Sequence, residues 1–381
     1  MRLAHLITDL DVGGAEKMLT RLVRAMDPAV AEHMVISMTD SGLLGEALAN
    51  DGFLVRSLGL RRGQARPDAV LALRRILRDW QADLLETWLY HADLLGTLAT
   101  FGSSSPVLVW NLRASLMDMT RYRRLSGWTR ALCARLSTRP AMVIANSEAG
   151  VQAHSALGYR PRVWQVLPNG IDTVEYAPNQ SVRARLRGEF GIGDEAMVVG
   201  VAARYDPMKG HDLLADALAT WLPAAPLIHV VIAGTNVTWD AAPYAALARR
   251  APECIARIHL IGPRYDMPAV WNACDIGCSP SHTEGFPNAV AEAMATGLPV
   301  VVTDVGDSAT LVGTAGFAVP PRNAAALRDA LEHVATLPSS EQRRLGARAR
   351  DRIVTEYSIA RAAARYANVY REAIVNARRR Q

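Results

Sequence analysis

Lysine is almost missing from this chain. Of its 42 basic residues only Lys17 and Lys209 are lysine, and the rest are arginine. A lone lysine in the second half therefore draws attention to its surroundings. Cysteine is scarce too, at Cys133, Cys254, Cys274 and Cys278. Cys274 and Cys278 have no His or Cys partner at zinc spacing, so ordinary buried thiols are expected rather than a metal site or disulfides. No apolar run reaches the roughly 18 residues that a membrane-spanning helix needs. The opening Met1–Ile7 is soon broken by Thr8, Asp9 and Asp11, which suits a first buried strand better than a signal peptide. There is no P-loop, and the glycines after that strand do not form G-x-G-x-x-G. A large excess of one charge is also lacking. With 37 acids against 42 bases the net charge is +5, too mild for a dedicated nucleic-acid binder.

What is present points to a folded α/β protein. The chain has 381 residues, half of them apolar, enough for two domains at roughly 150 residues each. Disorder, collagen-like repeats and a disulfide scaffold are excluded by this balance. Short apolar runs at Leu3–Thr8, His33–Met38, Phe53–Ser57, Leu84–Thr87, Val107–Asn111 and Met142–Ala145 alternate with amphipathic stretches, among them Gly14–Met26, Asp68–Asp79 and His91–Thr100. This alternation predicts a mostly parallel sheet covered on both faces. A strand near Val163 ends in the turn Pro168-Asn169-Gly170, and polar Tyr176–Asp194 reads as a junction. The pattern restarts with strands at Met197–Ala202, Ile228–Ala233, Ile258–Ile261, Ile276–Ser279 and Val300–Thr303, and helices at Gly210–Trp221 and Ala241–Arg249. Ser339–Gln381 reads as two Ala/Arg-rich helices. The expectation is two Rossmann-like, doubly wound domains, 1–172 and 173–357, facing across a cleft, with a helix at about 358–381 returning to the first.

Three constellations could carry chemistry. Leu10–Glu16, with Gly13 and Gly14, lies between a strand and a helix, where backbone can approach a ligand and helix N–H groups favour an anion; a tight turn alone would explain it equally well. Arg204–Lys209 follows another strand, and its two cations could clamp a diphosphate; a solvated loop is the plainer alternative. Ser281–Met294 opens an apolar helix. Pro287 suits its first position, Glu284 precedes it and Glu292 lies about a turn and a half inside. The N–H groups of Phe286, Asn288 and Ala289 point out of the helix start. Glu284 could instead merely cap the helix, and Glu292 could be a solvated position, although its neighbours are apolar.

The E-x₇-E pair in EGFPNAVAEAMATGLPVVVTD resembles the retaining GT-B glycosyltransferases of family 4. The resemblance extends to LITDLDVGGAEKML, to the NSE segment at Asn146–Gly150, to VLPNGID and to ARYDPMKGHDLLADAL. With TWLYHADLLGTLA and TDVGDSATLVG it looks most like bacterial members that build exopolysaccharide, capsule or O-antigen units. The resemblance implies a GT-B fold and an enzyme that transfers a sugar from a UDP-, GDP- or ADP-sugar with retention. Glu284 would contact donor-sugar hydroxyls, and Glu292 the ribose. Arg204 and Lys209 would neutralise the leaving diphosphate, and Gly285, Phe286, Pro287, Asn288 and Ala289 would hold sugar and phosphate by backbone. Gly13 and Gly14 would approach the phosphate from the other domain, and His91 would stand near the donor sugar. His5, His33, His229 and His259 sit in apolar runs and read as structural.

No cofactor and no metal are expected, since two cations and a helix terminus suffice to stabilise the leaving group. Closure about Pro168–Asp172 would exclude water. Arg113–Arg139 carries seven Arg and one acid among apolar and aromatic residues, which suits the anionic inner face of a membrane and a polyprenyl-diphosphate-linked acceptor. An ordinary basic helix, and a soluble acceptor, fit the same residues. A cytoplasmic protein, peripheral on the membrane, is therefore expected, with no nucleic-acid partner. Other classes compatible with two such domains are a nucleotide-sugar epimerase and a non-catalytic nucleotide-sugar-binding protein; a Rossmann dehydrogenase would need the missing glycine fingerprint.

Overall fold

A computed structural model describes residues 1–11, 13–61, 66–103, 106–113 and 124–379, without the side chains of 124–126. It divides into two compact units, Met1–Gly170 with Ile359–Gln381, and Ile171–Ser358. The chain thus changes unit directly after the Pro168-Asn169-Gly170 turn, two residues before the boundary drawn from the sequence, and returns after Ser358.

The first unit runs β1 (Arg2–Ile7), α1 (Gly14–Ala25), β2 (Glu32–Ser37), α2 (Gly42–Asn50), β3 (Leu54–Ser57), α3 (Asp68–Asp79), β4 (Leu84–Trp88), α4 (Tyr90–Thr100), β5 (Val107–Leu112), α5 (Arg124–Leu136), β6 (Met142–Ala145), α6 (Glu148–Ala156) and β7 (Trp164–Val166). The second runs α7 (Gln180–Glu189), β8 (Met197–Ala202), α8 (His211–Trp221), β9 (Ile228–Ala233), α9 (Ala242–Arg250), β10 (Ile258–Gly262), α10 (Met267–Ala273), β11 (Ile276–Ser279), α11 (Asn288–Ala295), β12 (Val300–Thr303), α12 (Ser308–Val312), β13 (Gly316–Val319), α13 (Ala324–Thr336) and α14 (Ser339–Glu356). The last helix, α15 (Ile359–Arg378), belongs to the first unit.

The strand orders are β3-β2-β1-β4-β5-β6-β7 and β10-β9-β8-β11-β12-β13. Every recorded pairing is parallel. Central strands of such sheets are covered on both faces, which is why β1 and β8 read as largely apolar runs. In each sheet the order reverses once, between β1 and β4 and between β8 and β11. A doubly wound sheet binds its ligands beyond the carboxyl ends of the strands at that reversal. The loops after β1, β4, β8 and β11 are therefore the ones to inspect, and they carry Gly13, His91, Lys209 and Glu284.

Helix α1 buries Met18, Leu19, Leu22 and Val23, the stripe expected of an amphipathic helix. Tyr366, Tyr370 and Ile374 of α15 share that core. A polar bond joins α15 to the sheet: buried Glu86 accepts from Tyr370 Oη (2.8 Å), Trp88 Nε1 (2.9 Å) and Asn111 Nδ2 (2.8 Å), with His5 Nδ1 2.9 Å away. His5 stacks on His33. Burial, with His5 beside it, lowers the His33 pKa to about 3. His229 and His259 stack likewise in the second unit. All four cysteines are buried and free.

Two expectations of local structure are corrected. Tyr176–Asp194 is no simple junction: it contains α7, capped by Asn179, whose side chain accepts from Val182 N–H at 3.1 Å. Its polar composition hid a buried arginine, Arg187, which donates to Asp275 Oδ2 at 2.5 Å and to Ala273 O at 3.0 Å. Pro287 stands at the cap of α11 rather than at its first position. Its ψ of 89° is not helical, and Phe286 beside it is buried against Tyr357.

Candidate active site

In the second unit the loop after β8 is built as a short staircase. The Asp206 carboxylate accepts from Met208 N–H at 2.9 Å and starts a 3₁₀ turn over Pro207–Lys209. Gly210 then adopts φ +65° and hands the chain to α8. A Cβ at Gly210 would lie 1.9 Å from Pro280 O, so only glycine lets the loops after β8 and β11 meet. They are joined by His282 N–H donating to Met208 O at 2.8 Å, and by His282 Nε2 with the Asp212 carboxylate at 2.9 Å.

This contact brings Lys209 onto Glu284. Lys209 Nζ donates to Glu284 Oε1 at 2.6 Å, and Ser281 Oγ donates to the same oxygen at 2.7 Å. The Glu284 side chain is 11% exposed and that of Lys209 24%, so the pair is largely shielded from water. Ser281 is held in turn by Thr303, whose Oγ1 donates to Ser281 O at 2.5 Å. The loop after β12 closes on the other side: Asp307 N–H donates to Gly285 O at 3.1 Å. With Oε1 taken by two donors, Oε2 is the oxygen with which Glu284 can accept from a ligand hydroxyl. Lys209 keeps donors for an anion. Ser281, Thr303 and Gly210 lie in the motifs read from the sequence, which assigned them no role of their own. The signal for Ser281 was its place three residues before Glu284.

Helix α11 follows at once. Its first-turn N–H groups point out of the helix start by geometry, and the Gly285–Ala289 backbone follows Glu284 directly in the chain. Phe286 contributes only backbone, since its side chain is buried. Glu292, the fifth residue of α11, is 9% exposed, so the solvated alternative for it fails. Arg204 does not join Lys209. Its side chain is 56% exposed and lies 3.4 Å from Asp206.

In the first unit, Gly13 caps α1 and Gly14 begins it, while Val12 lies outside the described residues. The space over Gly13 is already used: a Cβ there would meet Glu16 Oε2 at 2.1 Å. Glu16 is 8% exposed. Burial first, then the charges of Asp9 and Asp11, raise its pKa to about 6, against the pull of the Ala15 and Glu16 N–H groups. The carboxylate of Glu16 thus stands where the glycine loop was expected to receive a phosphate. Asp9 and Asp11, an Asp-x-Asp that sequence reasoning passed over, follow β1; Asp11 N–H lies 3.4 Å from Asp9 Oδ1. Among the described residues, no group of three or more His, Cys, Asp or Glu side chains is placed to hold a metal ion. His91, second in α4, is exposed, and desolvation by the neighbouring protein lowers its pKa and favours the neutral form. Of the basic stretch Arg113–Arg139, residues 114–123 lie outside the described residues. No helix among the described residues is long and apolar enough to cross a membrane.

Comparison with known proteins agrees with this layout. A family model described as Glycosyltransferase Family 4 matches residues 12–175, and one described as Glycosyl transferases group 1 matches 196–336. The chain is 31% identical to a D-inositol 3-phosphate glycosyltransferase of Kribbella flavida, over 52% of this chain and 49% of that protein. It is 31% identical to a lipopolysaccharide core biosynthesis mannosyltransferase of Rhizobium meliloti, over 50% and 52%. It is 24% identical to a UDP-Gal:alpha-D-GlcNAc-diphosphoundecaprenol alpha-1,3-galactosyltransferase of Escherichia coli, over 64% and 63%. The matched region thus spans about half the length of the first two relatives. Among solved structures, HepE of Anabaena in complex with UDP superposes with a TM-score of 0.82 at 23% identity, covering 98% of this chain and 100% of that one. Sucrose-phosphate synthase of Thermosynechococcus elongatus gives 0.78 at 17%, covering 99% and 100%. At these identities the structural likeness is one of fold, the GT-B fold expected from the sequence.

Proposed function

Because the chain belongs to the glycosyltransferases of group 1, in their family 4, we propose that it moves a sugar from a nucleoside-diphosphate sugar to an acceptor hydroxyl. The observation that carries this reading is the shielded Lys209–Glu284–Ser281 cluster at the reversal point of the second sheet, directly before α11. A diphosphate leaving a sugar develops negative charge. A lysine and a helix N-terminus aimed at that charge stabilise it without reorganising at the moment of reaction. Glu284 Oε2 accepts from a donor-sugar hydroxyl, Glu292 from the ribose, and exposed Arg204 swings to the diphosphate. The backbone of Gly285, Phe286, Pro287, Asn288 and Ala289 supports sugar and phosphate. His91 serves a substrate hydroxyl as a neutral imidazole. Gly13 and Gly14 serve the phosphate once Glu16 has moved. Retention is the expected stereochemistry, with the leaving phosphate assisting removal of the acceptor proton, and no metal is required.

The acceptor proposed is a polyprenyl-diphosphate-linked saccharide in cell-surface polysaccharide assembly. The Escherichia coli relative, named for such an acceptor, supports this class. So does the surface of α4 and α5, where Leu98, Phe101, Trp128 and Leu132 are exposed. Apolar side chains among arginines suit a peripheral position on an anionic membrane face. The test is transfer of labelled sugar from UDP-, GDP- and ADP-sugars to a lipid-linked saccharide, with the product anomer read by NMR. Retained configuration is expected; inversion, or no transfer from any donor, would overturn the reading. Sedimentation with anionic vesicles tests the membrane part, which falls if the protein stays in the supernatant.

A further inference from the structure

Strand β4 and helix α4 are joined by one residue, Leu89, at φ +74° and ψ 156°. That backbone region is essentially reserved for glycine. A leucine stays there only where its surroundings over-determine it, and such strain gathers at functional sites. His91 is two residues further on.

The surroundings are specific. Thr87 Oγ1 donates to Asp93 Oδ1 at 2.5 Å across the turn, and Asp93 N–H donates to Leu89 O at 3.0 Å. Gly96, one turn along α4, admits this approach, since a Cβ there would lie 2.4 Å from Thr87 Cγ2. The residue between Leu89 and His91 is tied as well. Tyr90 Oη lies 2.8 Å from His154 Nε2, and Cys133 Sγ donates to Tyr90 O at 3.3 Å. Asp93 is fully buried, and its Oδ2 has no hydrogen-bond partner among the described residues. Packing alone does not account for such a group, because a buried, half-satisfied acid costs more than an apolar residue of similar size. Desolvation raises its pKa well above the ordinary carboxylate range, which favours the neutral acid.

We propose that Thr87 and Asp93 are positioning residues for His91: their buried hydrogen bond locks the Leu89 turn and so fixes where the imidazole at the start of α4 is presented. This rests on the reading of His91 as an active-site residue. Asp93 Oδ1 acts here as the acceptor for Thr87 Oγ1, a role that an amide oxygen can fill. An amide should therefore replace it, whereas removal of either member of the pair should let the turn relax.

The test compares Thr87→Val and Asp93→Ala with Thr87→Ser and Asp93→Asn. The first readout is the NMR titration of the His91 ring, identified by its loss in His91→Ala. In Thr87→Val and Asp93→Ala the His91 pKa should rise toward the ordinary histidine value as the ring gains water; Thr87→Ser and Asp93→Asn should titrate like the parent. The second is turnover with UDP-glucose, or with whichever UDP-, GDP- or ADP-sugar proves to be the donor. The kcat of the first pair should fall on the order of 10- to 100-fold with KM for the donor little changed, as for misplacement of a reacting group. The conservative pair should keep it. Unchanged titration and kcat in Thr87→Val and Asp93→Ala would overturn the proposal, as would Asp93→Asn behaving like Asp93→Ala. If the ring moves as described but His91→Ala keeps full turnover, the positioning stands and it is the role of His91 that falls.

Discussion

Lys209 and Glu284 meet at 2.6 Å in a largely shielded position. Charge-assisted bonds of this kind are stronger than neutral ones. Removing the lysine deletes a group that faces developing charge, so Lys209→Ala should lower transfer by about 10²- to 10³-fold with unchanged circular dichroism. Glu292→Ala should also abolish transfer in a folded protein, and near-parental rates in both variants would refute the site. Glu16 offers a different residue-scale prediction. Burial raises its pKa from the ordinary 4.5 to about 6. The folded state therefore binds more protons than the unfolded between those values, and stability is present below about pH 4.5 and lost as pH rises through about 6. Glu16→Gln should be more stable than the parent at pH 7.5, by about 2 kcal/mol at most, and the advantage should vanish near pH 4. Urea melts at both pH values check this, and an equal gain at both would contradict it.

At the scale of elements, the site depends on two loops touching. Gly210 sits at φ +65° with Pro280 O where its Cβ would be. Gly210→Ala should cost more than about 1 kcal/mol and weaken donor binding, because the contact that sets Lys209 against Glu284 is lost. Urea melts and donor titration read both effects; an unchanged melt with parental affinity would contradict the account. The sequence announced much of this. Strands such as β1 and β8 were legible because both faces are buried and their residues are largely apolar. The glutamate pair, Lys209 and the start of α11 were legible because few residue types fit there. Helix α7 was not, since the buried Arg187 that anchors it looks like surface in a one-dimensional reading. The Leu89 turn was equally hidden, because no composition signals a leucine in glycine's backbone region. Nor did the glycine pair betray that Glu16 would fold over Gly13.

Across the whole molecule, six of the seven strands of the first sheet follow the order of the second sheet's six, and each reversal point carries a loop pair singled out from the sequence. The first unit is completed by α15, from the far end of the chain. Tyr370→Phe would leave Glu86 one donor short in a fully buried setting and should destabilise that unit by about 1–3 kcal/mol, seen as a lower urea midpoint; an unmoved midpoint would show that the bond contributes nothing. The mild net charge of +5 also gains meaning as a distribution, with one of two lysines in the site and arginines spread over α5 and its flank. The central claim is that the second unit holds a nucleoside-diphosphate sugar through Lys209, Glu284, Glu292 and the start of α11. The most direct test is a thermal-shift screen of UDP-, GDP- and ADP-sugars on the full chain and on Lys209→Ala and Glu292→Ala. A bound donor stabilises the fold by mass action. One donor class should raise the parental midpoint and fail to raise that of either variant. No shift with any donor, or a shift undiminished in both variants, would contradict the account.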